Sequence, residues 1–133
     1  MNTIKVGIIG AGGIAQHSHI PSYQRVDGVE LVAIADINEA KARETAAKDH
    51  IPNVFKDYRA LLDMDEIHAV SICTPNVFHK PMSIDALNAG KHVLCEKPVA
   101  AKGSDAAEII DTAKKNGKIF MAAQVQRFNP ISQ

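Results

Sequence analysis

Short apolar runs alternate along the chain with longer segments whose apolar residues recur at helical spacing. This alternation predicts strand–helix units and a doubly wound parallel sheet of α/β class, with strand order 3-2-1-4-5-6. Six runs have strand length, and they cover residues 4–9, 30–35, 51–55, 69–73, 92–95 and 119–123. The first helix is predicted from about residue 13, and Pro21 is expected to break or kink it.

Local signals mark the predicted starts and ends of the other helices. Asn38, Asp57 and Ser104 precede helical segments, and their side chains are predicted to cap them by accepting hydrogen bonds from backbone amides. Gly90 and Gly117 follow helical segments, and both suit the left-handed conformation that ends a helix.

Composition narrows the class of protein. The 133 residues are 46% hydrophobic and 23% charged, as expected of one soluble domain with a core. Lys plus Arg equals Asp plus Glu at 15 each, and Trp is absent, so a nucleic-acid partner is not expected. No apolar run is long enough for a signal peptide or a membrane span, so we expect a cytoplasmic protein. Cys73 and Cys95 are interpreted as reduced, packed thiols.

The predicted sheet accounts for residues 1–123, which we interpret as one nucleotide-binding domain. Residues 124–133 are too few for another domain and are predicted to lead into a C-terminal substrate and catalytic domain. The sequence is therefore interpreted as the front portion of a longer protein.

A glycine-rich turn follows the first predicted strand. Residues 10–15 fit the pattern G-x-G-x-x-G/A of dinucleotide-binding Rossmann folds. Gly10 would allow the tight turn, Gly12 would let a pyrophosphate approach the backbone, and Ala15 would let the helix pack closely on the sheet. Gly13 and Ile14 would present amides at the helix N-terminus, where anions bind favourably.

Asp36 ends the second predicted strand, 21 residues beyond Ala15. A carboxylate at this place can accept both hydroxyl hydrogens of an adenosine ribose and would repel the 2′-phosphate of NADP. We therefore predict NAD as the cofactor, with NADP disfavoured. The alternative is that Asp36 only caps the following helix.

Together these motifs resemble the N-terminal domain of the glucose–fructose oxidoreductase/inositol dehydrogenase (Gfo/Idh/MocA) family. The resemblance covers essentially the whole chain. The matching segments are Gly10-Ala11-Gly12-Gly13-Ile14-Ala15, Ala35-Asp36, Ser71-Ile72-Cys73-Thr74-Pro75-Asn76 with His79, and Ala89-Gly90-Lys91-His92-Val93-Leu94-Cys95-Glu96-Lys97-Pro98.

The resemblance implies a dehydrogenase that exchanges a hydride between a nicotinamide and a carbinol of a sugar, an inositol or a related polyol. Lys97 would be the active-site lysine that hydrogen-bonds the reacting oxygen, because a cation stabilises a developing alkoxide. Pro98 would fix the direction of Lys97, and Glu96 would lie by the nicotinamide ribose. The alternative for Lys97 is a solvated lysine at a strand end.

The resemblance also implies that Thr74, Pro75, Asn76 and His79 line the cofactor. Pro75 and Asn76 are equally ordinary turn and cap residues, and His79 has a surface alternative. The family's proton-accepting histidine belongs to the following domain, so this chain alone is expected to bind cofactor without efficient turnover. The longer protein is expected to be a homo-oligomer.

No metal is predicted, because the histidines and the two separated cysteines form no cluster with ligand spacing. His17 and His19 lie near the glycine turn, and one of them could touch the site. Two other functions remain open at this stage: an NAD-retaining glycosidase of the same family, and a non-catalytic NAD-binding sensor.

Overall fold

A computed structural model describes residues 3–96 and 103–123 of the chain, and the side chains as far as residue 122. It contains one parallel sheet of six strands in the order 3-2-1-4-5-6, which confirms the predicted fold class. The strands are β1 (Ile4–Ile9), β2 (Val29–Ala35), β3 (Asn53–Phe55), β4 (Ala69–Ile72), β5 (His92–Glu96) and β6 (Phe120–Ala123). Strand order reverses between β1 and β4, and ligands of such sheets bind beside this point at the carboxyl ends of the strands.

Helices connect each strand to the next. They are α1 (Ile20–Gln24), α2 (Glu39–Asp49), α3 (Tyr58–Leu62), α4 (His79–Asn88) and α5 (Gly103–Asn116), with a π-helical turn at Ala15–His19 and a 3-10 turn at Asn76–Phe78. Across the described ranges, no helix has both the length and the apolar character that crossing a membrane requires.

The first helix continues past Pro21, where a break or a kink was predicted. Residues 13–24 are helical without interruption, so the proline does not break the helix. The π-helical turn lies directly before the proline, and within it the Ile20 amide donates to the Ala15 carbonyl five residues earlier. A proline in a regular α-helix lacks its donor and collides with the carbonyl four residues before it, and the wider turn accommodates both defects.

Most predicted helix ends are confirmed. The Asn38 side chain accepts a hydrogen bond from the Lys41 amide, and Asp57 accepts one from the Arg59 amide. Gly90 and Gly117 have positive φ angles after α4 and α5. The prediction that Ser104 precedes and caps this helix was wrong, because Ser104 lies within α5.

The core lies on both faces of the sheet. Ile8 and Ile9 are neighbours in β1 and are both buried, but they belong to different hydrophobic clusters. Strands covered on both faces are typical of parallel sheets between two helical layers. Cys73 and Cys95 are buried free thiols, one in each cluster, which agrees with their interpretation as packing residues. Burial raises the pKa of both thiols, to about 11 for Cys95.

Candidate functional site

A cleft of about 800 Å³ opens at the carboxyl edge of the sheet. This volume is within the usual range for a small-molecule or cofactor site. The cleft brings together five of the residues that the sequence proposed for cofactor binding, from the ends of three different strands: Gly10, Gly12, Asp36, Thr74 and Pro75. It therefore spans the reversal point between β1 and β4.

The cleft also contains residues that the sequence analysis did not propose. Ile37 follows Asp36, and residues 56–59 follow β3 at the same edge of the sheet. Phe78 and Met82 approach from the segment after β4. The residues after β3 could have been found from the sequence, because every strand of a parallel sheet has its carboxyl end at the same edge.

Two glycines of the turn have different physical roles. Gly10 is buried with φ +102°, and a Cβ there would lie 2.9 Å from both the carbonyl carbon and the carbonyl oxygen of Cys73. Glycine is therefore required at this position by the fold itself. A Cβ at Gly12 would meet nothing within 4 Å, although Gly12 lines the cleft. This open space is where a ligand can approach the backbone.

The rest of the turn forms the start of the helix. Ala15 is fully buried against the sheet, as its small side chain allows, whereas Gly13 and Ile14 are exposed. The Gln16 side-chain amide donates to the Ala11 carbonyl at 2.8 Å and braces the turn. Gly12 lines the cleft and Gly13 and Ile14 do not, but the first amides of a helix have no partner within it, so this turn presents free donors beside the cleft.

Asp36 connects β2 to the glycine turn. One carboxylate oxygen accepts from the Ala11 amide at 2.7 Å, and the other accepts from the Asn38 amide at 2.8 Å. The cap of α2 is Asn38, so Asp36 does not have the capping role considered as its alternative. Each carboxylate oxygen has a further lone pair, so both can still accept a hydroxyl from a ligand in the cleft.

The segment after β4 is fixed by His79. Its side chain is almost fully buried, and Nε2 donates to the Thr74 carbonyl at 2.7 Å. His79 is therefore not the surface residue considered as one alternative. It supports the loop from within, while Thr74 and Pro75 line the cleft and Asn76 is exposed at the start of the 3-10 turn.

At the end of β5, the Glu96 carboxylate is hydrogen-bonded to Nε2 of His19. The His19 side chain is 3% exposed and that of Glu96 is 14% exposed. In the sequence, His17 and His19 both lie near the glycine turn, and either could touch the site. The structure brings His19 to Glu96, and His17 is exposed. Lys97 and Pro98 lie outside the described residues.

Tyr58 adds a neutral hydroxyl to the cleft wall. It donates a hydrogen bond to the Asp85 carboxylate, and burial together with this bond raises the pKa of Tyr58 to about 12. The Arg59 guanidinium lies over the Tyr58 ring, 5.4 Å from its centre.

Over the described ranges, no group of three or more His, Cys, Asp or Glu side chains is arranged to hold a metal ion.

The sequence profile of the oxidoreductase family Gfo/Idh/MocA, described as an NAD-binding Rossmann fold, matches residues 4–124. The chain belongs to this family. It is 40% identical over 117 residues to a D-glucoside 3-dehydrogenase of Escherichia coli, covering 88% of this chain and 33% of that protein. It is 38% identical over 127 residues to a D-xylose 1-dehydrogenase (NADP⁺) of Haloferax volcanii, covering 96% and 39%.

Solved structures show the same relationship. A 3-ketoreductase from Actinomadura kijaniata, in complex with TDP-benzene and NADP, superposes with a TM-score of 0.92 at 32% identity. That match covers 98% of this chain and 41% of the ketoreductase. The chain thus spans between one third and about two fifths of the length of these relatives.

Proposed function

We propose that this chain is the cofactor-binding domain of an NAD-dependent oxidoreductase and that it binds NAD(H) across the carboxyl edge of its sheet. The observation that carries the proposal is the Asp36 carboxylate in the cleft, hydrogen-bonded to the Ala11 amide of the glycine turn. A ribose acceptor and a pyrophosphate-binding turn are thereby held in one rigid unit.

The residues present fit a dinucleotide. The space above Gly12 admits a pyrophosphate close to the backbone, and the amides at the start of the helix supply donors for its oxygens. Asp36 has acceptor lone pairs for the adenosine ribose. Ile37, which is 80% exposed, and Phe78 provide apolar surface for an adenine ring at the cleft.

NAD is favoured over NADP by the charge of Asp36, since a 2′-phosphate would meet the carboxylate. NADP is the second candidate, because Lys56 and Arg59 line the same cleft and relatives of this chain are named for NADP. Arg59 lies 3.8 Å from the Asp57 carboxylate and over the Tyr58 ring, so its charge is partly engaged already.

For the longer protein we propose oxidation or reduction of a sugar, inositol or related polyol. A bound nicotinamide would supply the hydride-exchanging group. Lys97 follows Glu96 directly in sequence, and its ammonium would hydrogen-bond the reacting oxygen and stabilise an alkoxide. Cytoplasmic location and homo-oligomeric assembly of that protein belong to the same proposal.

Calorimetric titration of the chain with NAD and NADP tests the cofactor assignment. We expect tighter binding of NAD, and Asp36→Asn should reduce the ratio of the two affinities by about tenfold, because a hydrogen bond to a charged group is lost along with the repulsion. Asp111→Asn on the exposed face of α5 is the control and should leave the ratio unchanged. Tighter binding of NADP, or an unchanged ratio in Asp36→Asn, would contradict the assignment.

A further inference from the structure

The helix that begins at the glycine turn also reaches the far strands of the site. Tyr23 on this helix is hydrogen-bonded to Ser71 of β4, and His19 is hydrogen-bonded to Glu96 of β5. Two side chains of this helix therefore contact the two strands beyond the reversal point. The helix connects the turn proposed for the pyrophosphate with the end of β5.

The π-helical turn is central to this arrangement. His19 is its last residue, and the turn inserts an extra residue relative to a regular α-helical path. On this short segment His19 is buried and His17 is exposed. π-Helical turns occur frequently at functional sites, where they aim a side chain that a regular helix would direct elsewhere.

Glu96 is mostly buried, so its carboxylate requires hydrogen-bonding partners. Its described neighbours include Cys73 and Cys95, whose buried thiols have raised pKa values and are neutral at pH 7. The Nε2–H of His19 is a directional donor to this carboxylate. A hydrogen bond between two side chains with this little exposure restricts the rotamers of both.

We propose that His19 is a positioning residue that holds the Glu96 carboxylate toward the nicotinamide ribose of the bound cofactor. The inference rests on the proposed function. A dinucleotide with its adenosine ribose at Asp36 must cross the ends of β1 and β4 to reach β5, so Glu96 is in range of its nicotinamide half and not of its adenosine half.

Comparing the binding of NAD with that of ADP tests the two halves of the ligand separately. NAD and ADP share the adenosine and pyrophosphate groups, but ADP lacks the nicotinamide ribose. His19→Leu should weaken binding of NAD by about tenfold, as expected for a lost hydrogen bond to a charged group, and should change ADP affinity by less than about twofold. His19→Gln should keep most of the NAD affinity, because its side-chain amide can donate in place of Nε2. His17→Gln is the matched control and should change neither affinity.

The outcomes distinguish this inference from the proposed function. Equal weakening of NAD and ADP by His19→Leu would show a general loss of structure and overturn the inference, and so would an unchanged NAD affinity. Failure of the unaltered chain to bind either ligand would contradict the proposed function and this inference with it. Asp36→Asn, by contrast, should weaken both ligands.

A second readout needs no ligand and no substitution of His19. The imidazole ¹⁵N shifts of His19 should change in Glu96→Gln, since the acceptor of Nε2–H becomes neutral, while those of His17 should not. Unchanged His19 shifts would show that the two side chains are not hydrogen-bonded in solution and would overturn the inference. This measurement also serves if His19→Leu does not fold.

Discussion

Substituting alanine at Gly10 and at Gly12 should have opposite consequences. At Gly10, alanine would adopt a φ of +102° and place its Cβ 2.9 Å from the Cys73 carbonyl group. Backbone strain of this kind costs about 1–3 kcal/mol, and overlap with rigid backbone adds a similar amount. We therefore expect Gly10→Ala to lower the free energy of unfolding by about 2–5 kcal/mol, which lowers the melting temperature by roughly 10 °C or more in a domain of this size.

Gly12→Ala should leave the fold intact. Its Cβ meets no atom within 4 Å, and Gly12 does not have a positive φ. The free energy of unfolding should change by less than about 1 kcal/mol, and a small gain is expected because alanine restricts the unfolded chain. The added methyl group would occupy the space proposed for the pyrophosphate, so NAD affinity should fall by about tenfold or more.

Urea unfolding and NAD titration of both variants test this pair of expectations. Gly103→Ala is the control, because its Cβ would meet nothing within 4 Å and Gly103, at the start of α5, does not line the cleft. Stability close to that of the unaltered chain in Gly10→Ala would refute the strain argument. Full NAD affinity in a folded Gly12→Ala would refute the assignment of the open space to the pyrophosphate.

Two further predictions concern Tyr58 and Lys97. The pKa of Tyr58 is raised from 10 to about 12, so its contribution to stability is fully present below about pH 10 and is lost as pH rises toward 12. Tyrosinate absorbance should show this late ionisation. The Tyr58→Phe variant should lack it. An ordinary titration near pH 10 would contradict the burial argument. In the proposed longer protein, Lys97→Ala should lower kcat far more than it weakens NAD binding, as measured by steady-state kinetics. Full turnover by the Lys97→Ala variant would exclude Lys97 from the mechanism.

Features set by local sequence were predictable. Asn38 and Asp57 cap helices as expected, because a cap depends on the few residues that follow it. The alternation of apolar runs likewise predicted all six strands and their order. Ser104 lies within α5 and not before it, because propensity specifies the end of a helix only weakly.

Features set by long-range contact were not predictable. The contact of His19 with Glu96 joins positions 77 residues apart. Helical periodicity places His19 on the same face as the buried Ala15, four residues earlier, but it does not identify Glu96 as the residue that His19 contacts. The cleft residues after β3, by contrast, could have been predicted, because the predicted strand order already places the end of β3 beside that of β2.

A crystal structure of the chain with NAD⁺ is the most direct test of the account. We expect the pyrophosphate against the amides that follow Gly12, and the adenosine ribose hydroxyls within hydrogen-bond distance of the Asp36 carboxylate. A nucleotide bound elsewhere on the domain, or bound with no ribose contact to Asp36, would contradict it.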